Sequence, residues 1–136
     1  MLIILDIVLL AIAVLHLLWA RGIWWPIRQE TALAHAVIGF KGVAKMPPGP
    51  ASLFVAVALT IAAAWPWLLP IMPRSIFLLG LAGLTVVFLG RGIVTYAPFW
   101  RRMLCEQPFA TLDKRYFGPL CIAIGIAFAI LLGSAI

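Results

Sequence analysis

Charged side chains are scarce in this chain of 136 residues, and acidic side chains are the scarcest of them. Four Asp and Glu accompany ten Lys and Arg, so that 10% of the residues are charged, against about 25% in soluble domains. Hydrophobic residues make up 65% of the sequence, and the mean hydropathy is +1.17. This balance excludes an ordinary soluble domain and predicts one domain, residues 1–136, embedded in a lipid bilayer.

The sequence also lacks the motifs of common enzyme and cofactor sites. It contains no phosphate-binding loop, no dinucleotide fingerprint, no paired-cysteine metal motif and no nucleophile elbow. Two histidines and four acidic residues offer little material for metal-assisted chemistry, so no metal site is predicted. No catalytic residue or cofactor follows, and whether the chain is an enzyme stays open. Cys105 and Cys121 are expected to be free thiols, one in a loop and one in a helix.

Four apolar runs are each about long enough for a helix to cross a hydrocarbon layer about 30 Å thick. Backbone groups in lipid have no water to bond with, so each run is expected to be a helix that satisfies its own hydrogen bonds. The sequence therefore predicts an all-α integral membrane four-helix bundle. Its spans are residues 2–20, 51–69, 76–95 and 116–136.

Basic residues are concentrated in the two long segments between spans, and the short second connection carries only Arg74. The basic residues of the long segments are Arg21, Arg28, Lys41 and Lys45 in the first, and Arg101, Arg102, Lys114 and Arg115 in the second. The positive-inside rule then places both long segments in the cytoplasm and both termini outside it, in the inner membrane. Since topology accounts for the cations, membrane lipid is the expected partner and nucleic acid is not.

Two dipeptides recur at nearly the same offset along the chain. Arg21-Gly22 and Arg91-Gly92 each close an outward-to-inward span, while Gly49-Pro50 and Gly118-Pro119 each lie near the start of a returning span. This recurrence predicts two tandem helical hairpins of the same orientation, related as a parallel repeat. Chance recurrence in a sequence of restricted composition is the alternative.

Polar side chains in or beside the spans need an explanation, because a charged group at the centre of a membrane helix costs about 2.5–3.5 kcal/mol on insertion scales. Five residues are candidates for a ligand-binding polar pocket at the cytoplasmic end: His16, Trp19, Arg91, Asp113 and Tyr116. Such a pocket would pair Asp113 with Arg91, His16 or Arg101. The proposed ligand is an amphipathic or anionic small molecule.

Each candidate also has a structural interpretation. A hydrogen bond near the membrane interface also explains His16, and this is the favoured interpretation. Arg91 is also explained by a side chain that extends to the headgroups at the end of its span. Asp113 fits the first turn of a helix capped by Thr111. Asp6, near the outer end of the first span, is a candidate for an ion or proton path, with an interfacial carboxylate as the alternative.

Several short motifs together resemble a known family. They are His16 and Trp19 at the end of the first span, Met46-Pro47-Pro48 before the second, and Phe109…Leu112-Asp113…Tyr116…Pro119-Leu120-Cys121. The pattern is similar to domain of unknown function 3995 over essentially the whole chain. The resemblance implies a small bacterial multi-span membrane protein and supplies no reaction, while Asp113 and Tyr116 match the family's signature.

Four short helices enclose little volume, so a homo-oligomer, and specifically a dimer, is expected. Small-residue faces would permit close packing between copies; they consist of Gly80, Gly83 and Gly90, or of Gly125 and Gly133. Three other functions stay open: an oligomeric transporter or channel subunit, a membrane enzyme acting on a lipid or isoprenoid, and an accessory subunit of a respiratory complex.

Overall fold

A computed structural model describes every residue, 1–136, and contains six helices. In chain order they are α1 (Leu2–Ala20), α2 (Glu30–Val37), α3 (Gly49–Ala64), α4 (Arg74–Val94), α5 (Pro98–Met103) and α6 (Phe109–Ala135). Two short 3-10 turns, Trp65–Trp67 and Leu69–Ile71, connect α3 to α4. The first of these turns extends the apolar helix, so that four segments are long and apolar enough to cross a membrane. The prediction of an all-α bundle with four membrane-spanning helices is confirmed.

The fourth long helix begins at Phe109, well before the apolar run that identified it in the sequence. The polar segment ahead of that run is itself helical, and it includes a π-helical turn over Asp113–Phe117. In this turn the amide of Gly118 donates to the carbonyl of Asp113, five residues back. Pro119 has no amide hydrogen to donate, which favours a break in the α-helical hydrogen-bond pattern at this place.

The four long helices form two hairpins, α1 with α3 and α4 with α6. Glycines allow the backbones to approach within each hairpin. A Cβ atom on Gly49 would lie 2.8 Å from the carbonyl oxygen of Ala20, and one on Gly92 would lie 2.8 Å from that of Gly118. Three glycines of the recurring dipeptides, Gly49, Gly92 and Gly118, therefore lie at close contacts between neighbouring segments, whereas Gly22 has open space around it.

The two hairpins are joined by one apolar cluster to which each long helix contributes two buried residues. The cluster consists of Leu5, Leu9, Ala62, Ala63, Phe77, Leu81, Ile124 and Phe128. Phe128 is fully buried and stacks on Phe88 with the ring centroids 5.7 Å apart. Apolar packing of this kind holds the hairpins together within the span region.

A second junction lies at the loop end, meaning the end of the bundle where α1 and α4 finish and α3 begins. The amide of Glu106 donates to the carbonyl of Gly39 at 3.0 Å, and its carboxylate accepts from the amide of Gly42 at 2.8 Å. Gly39 is buried against the ring of Phe109. The two long inter-span segments are thus bound to each other.

The glycines expected at an oligomer interface divide into two groups. Gly80 lies against the ring of Trp65 and Gly125 against the side chain of Leu89, so both pack within the chain. For these two the expectation of an open face is wrong, because neighbouring helices of the same chain already cover them. The other three, Gly83, Gly90 and Gly133, have open space where a Cβ would be. The homo-oligomer itself stays a prediction.

Candidate functional site

One salt bridge occurs in the chain, and it joins α4 to α6 at the loop end. The guanidinium Nη2 of Arg91 donates to Oδ1 of Asp113 at 2.6 Å. Of the three partners considered for Asp113 in the sequence, the structure selects Arg91. A pair this short combines charge attraction with a hydrogen bond, which makes it stronger than a bond between neutral groups.

Two further side chains form hydrogen bonds to this pair. Thr95 Oγ1 accepts from Nη1 of Arg91 at 2.6 Å, and the indole nitrogen of Trp100 donates to Oδ2 of Asp113 at 3.0 Å. The guanidinium carbon of Arg91 also lies 5.0 Å from the centroid of the Trp100 ring, within the range of a cation–π contact. We call these four residues, Arg91, Thr95, Trp100 and Asp113, the clamp.

The two charged members of the clamp differ sharply in burial. The Asp113 side chain is 1% exposed and both of its oxygens accept hydrogen bonds, whereas the Arg91 side chain is 32% exposed. A guanidinium carries five N–H groups, and two of them are used, on Thr95 and Asp113. The accessible part of the ion pair is therefore cationic and retains free hydrogen-bond donors.

The π-helical turn is what turns Asp113 toward Arg91. Gly118 is buried against Thr95, the residue after α4, and the turn places Asp113, five residues earlier, on the same face of α6. In a regular α-helix the residue four positions earlier, Lys114, would occupy that face. The extra residue of the π turn therefore brings an acid rather than a base opposite Arg91, and Lys114 and Arg115 are exposed.

The capping role expected for Thr111 is wrong. The helix starts at Phe109 with Pro108 as its N-cap, so Asp113 lies beyond the first turn. Thr111 Oγ1 bonds instead to the side-chain oxygen of Gln107 at 2.8 Å. Asp113 therefore pairs with Arg91 of α4 and does not cap its own helix.

His16 and Trp19 make their contacts within the first hairpin and its following loop. His16 Nδ1 lies 2.9 Å from the carbonyl oxygen of Ile12, and its ring centroid lies 4.8 Å from that of Trp19. Trp19 is buried and its indole donates to the carbonyl of Trp25. Neither residue hydrogen-bonds to the clamp, so the structure does not join them to Arg91 and Asp113.

Tyr116 and Asp6 also lie apart from the clamp. Tyr116 is 54% exposed and its ring lies 5.6 Å from the guanidinium carbon of Arg115. Asp6 Oδ2 accepts from the indole nitrogen of Trp67 at 3.0 Å, while Oδ1 is buried without a partner. Of the five residues expected in one pocket, two are in contact across helices, and roles for the other three stay predictions.

Sequence reasoning missed two members of the clamp, Thr95 and Trp100. Trp100 lies outside every predicted span, and Thr95 is only the last residue of the third. The signal for Thr95 was its position four residues after Arg91, which places both on one face of a helix. Nothing in the spacing identified Trp100, because α5 follows a turn whose direction the sequence does not specify.

Two cavities elsewhere in the chain are apolar. One of about 180 Å³ between α1 and α6 is lined only by hydrophobic residues, from Met1 to Val8 and from Leu120 to Ala127. Another of about 280 Å³ between α1 and α3 has Thr60 as its one polar residue, and that hydroxyl bonds to the carbonyl of Ala56. Neither cavity is the predicted polar pocket.

Comparison with known proteins gives one match. The family model described as "Protein of unknown function (DUF3995)" matches residues 9–128. The matched segment includes the whole clamp, the loop-end junction and every residue of the apolar cluster except Leu5. No curated protein and no solved structure matches the chain.

Proposed function

Because the chain belongs to the DUF3995 family, whose description assigns no reaction, we propose a function from the clamp: binding of an anionic amphiphile at the loop end of a multi-pass membrane protein. The observation that carries the proposal is the difference in burial within the ion pair. Asp113 is enclosed while Arg91 is 32% exposed, so that the pair presents a fixed cation and no accessible carboxylate oxygen.

The chemistry of the exposed side of the clamp suits a phosphate or carboxylate headgroup. Arg91 is held in one orientation by Thr95, Trp100 and Asp113, so its free N–H groups are positioned before a ligand arrives. Lys114 and Arg115 follow Asp113 in the chain and are exposed. Their charges make the surroundings of the pair net positive, which favours an anion over a zwitterion.

The expected ligand source follows from the proposed orientation. With the loop end in the cytoplasm and both termini outside, the clamp lies at the inner leaflet of the bacterial inner membrane. Anionic lipids attract basic side chains at such a surface. An amphiphile could then place its headgroup at Arg91 without leaving the bilayer.

The binding proposal is tested by native mass spectrometry on the full chain in mild detergent, with phosphatidylglycerol and phosphatidylcholine as probes. We expect preferential retention of phosphatidylglycerol and an approximately ten-fold loss in Arg91→Gln, since a hydrogen bond to a charged group contributes about 1.5–3 kcal/mol. Arg21→Gln is the matched control, because Arg21 occupies the equivalent dipeptide, is exposed and makes no side-chain hydrogen bond. That variant should retain the lipid like the parent.

A second variant separates loss of binding from loss of folding. Arg91→Gln leaves the buried Asp113 without its cation, whereas Arg91→Gln combined with Asp113→Asn removes both charges and keeps groups able to hydrogen-bond. The double variant should fold and fail to retain phosphatidylglycerol. Retention equal to that of the parent would show that Arg91 is not the anion site.

The orientation is tested with the native cysteines. Cys105 is exposed between α5 and α6, whereas Cys121 is partly buried in α6. A membrane-impermeant maleimide added to spheroplasts should label the chain only after the membrane is permeabilised, and Cys105→Ser should abolish that labelling. Labelling of Cys105 in sealed spheroplasts would place the loop end outside the cytoplasm.

A further inference from the structure

Helix α5 has two sides of different character. Trp100 faces inward and bonds to Asp113, and Arg101 donates from both Nη atoms to the carbonyl of Ala110 at 3.3 Å. The other side is open: Phe99 is 62% exposed, Met103 is 48% exposed, and Arg102 is exposed with no hydrogen bond. A short helix therefore presents two large apolar side chains and one cation to its surroundings.

The connection to α4 limits how far α5 can lie from the membrane. Only Thr95–Ala97 separate the last residue of α4 from Pro98. They form a turn, in which the amides of Tyr96 and Ala97 donate to the carbonyls of Ile93 and Val94, so they span less than the roughly 10 Å that three extended residues reach. Each headgroup layer adds about 5–8 Å to a hydrocarbon core about 30 Å thick. α5 therefore lies at about the height of the headgroups next to the end of its own span.

The inward contacts of α5 also fix its rotation. Trp100 and Arg101 are bound to the start of α6, so the helix cannot turn Phe99 and Met103 toward the protein without breaking those hydrogen bonds. Exposed apolar residues next to a basic residue are typical of helices that lie in a membrane interface. The sequence of α5, PFWRRM, contains no acid that would repel an anionic surface.

We propose that α5 docks on the surface of an anionic phospholipid bilayer, with Phe99 and Met103 inserted at the level of the upper acyl chains and Arg102 among the headgroups. Lipid is the occupant because only three residues connect α5 to the membrane-spanning α4 and because the open side of α5 is cationic. This surface goes beyond the proposed function, since it requires no ligand at Arg91.

Fluorescence quenching on the full chain in nanodiscs tests the docking. The background carries Cys105→Ser and Cys121→Ala, and an environment-sensitive fluorophore is attached through Phe99→Cys. Thr111→Cys, at an exposed position beyond α5, is the matched control. Brominated lipid should quench the label at position 99 at least about two-fold more than the label at position 111, while aqueous iodide should show the opposite order.

The charge component is tested by comparing nanodiscs of phosphatidylcholine with nanodiscs that also contain phosphatidylglycerol. The docked fraction of α5 should be larger when the nanodiscs contain anionic lipid. In those nanodiscs Arg102→Gln should lower the docking equilibrium constant about five-fold, as expected for one basic side chain at an anionic surface. Identical quenching in both lipids would overturn the anionic partner.

Two other results would overturn the docking altogether. Iodide quenching at position 99 equal to that at position 111 would mean that the open side of α5 is exposed to water. Protection of position 99 from both quenchers would mean that protein covers this side. Loss of phosphatidylglycerol retention in Arg91→Gln bears only on the clamp. The two proposals therefore fail separately.

Discussion

Arg21 and Arg91 show how one dipeptide acquires two environments. Both precede a glycine near the loop end, yet Arg21 lies just past the end of α1 and is exposed, whereas Arg91 lies inside α4 and contacts three side chains. The difference arises on α6 and α5, which supply Asp113 and Trp100 to the second hairpin only. A repeat in the sequence does not imply a repeat of the chemistry.

Thr95 gives a residue-scale test of the clamp. Thr95→Val should lower the free energy of unfolding by about 1 kcal/mol more than Thr85→Val, because only Thr95 accepts a hydrogen bond from a charged group. Thr85 is the matched control, since it lies in α4, which Thr95 directly follows, and its hydroxyl donates to the carbonyl four residues back. Equal losses, measured by denaturation in detergent micelles, would mean that the Arg91–Thr95 bond contributes nothing to stability.

The candidate site could be predicted from the sequence only in part. Arg91 and Asp113 were identifiable because charges near apolar spans require partners. Their pairing was one of three options, because a side chain at a helix end reaches several neighbours. His16 was also a candidate partner for Asp113, but its Nδ1 lies within hydrogen-bond distance of a carbonyl oxygen of its own helix.

At the scale of elements, the π turn decides which charge of α6 faces α4. A π turn is equivalent to one residue inserted into an α-helix. The insertion changes the rotation of everything before it relative to everything after it. Periodicity of the apolar run could not reveal the turn, because the turn lies in the polar segment where no apolar face exists to follow.

A one-residue deletion tests this role of the turn. Removing Arg115 should convert the π turn to a regular α-helical turn and leave Asp113 four residues before Gly118, still facing Arg91. We expect the deletion to change the free energy of unfolding by no more than about 1 kcal/mol. Circular dichroism and denaturation in detergent provide the measurement.

Deletion of Ala123 is the control for that experiment. Ala123 is exposed, as Arg115 is, but it lies in the regular part of α6. Removal of one residue there rotates Asp113 by about 100° away from Arg91 of α4. This deletion should prevent stable folding. If both deletions were equally damaging, the π turn would not be the flexible insertion that we infer.

At the scale of the molecule, the two hairpins are held at the loop end by backbone contacts between segments distant in the sequence. Gly39 and Gly42 both have positive φ angles, of 83° and 74°. Their surroundings differ, because a Cβ on Gly39 would overlap the ring of Phe109 and a Cβ on Gly42 would meet open space. The pair therefore separates backbone strain from packing between the segments.

Gly42→Ala should cost about 1–2 kcal/mol, the usual penalty of a left-handed backbone for an L-residue. Gly39→Ala should cost about 1–3 kcal/mol more, because overpacking against Phe109 is added to the same strain. It should also increase protease cleavage in the segment after α2. Equal destabilisation by the two substitutions, measured by thermal unfolding in detergent, would argue against a packed junction at Gly39.

The sequence by itself determined the class of the molecule and the identity of its four long helices. Apolar runs of this length leave the backbone no hydrogen-bonding partner other than itself, so composition and length were sufficient. Tertiary structure alone decided that Asp113 meets Arg91, that Trp100 and Thr95 enclose them, and that Gly80 and Gly125 face inward. These contacts depend on how each helix is rotated about its axis, and in α6 one extra residue in a polar turn sets that rotation.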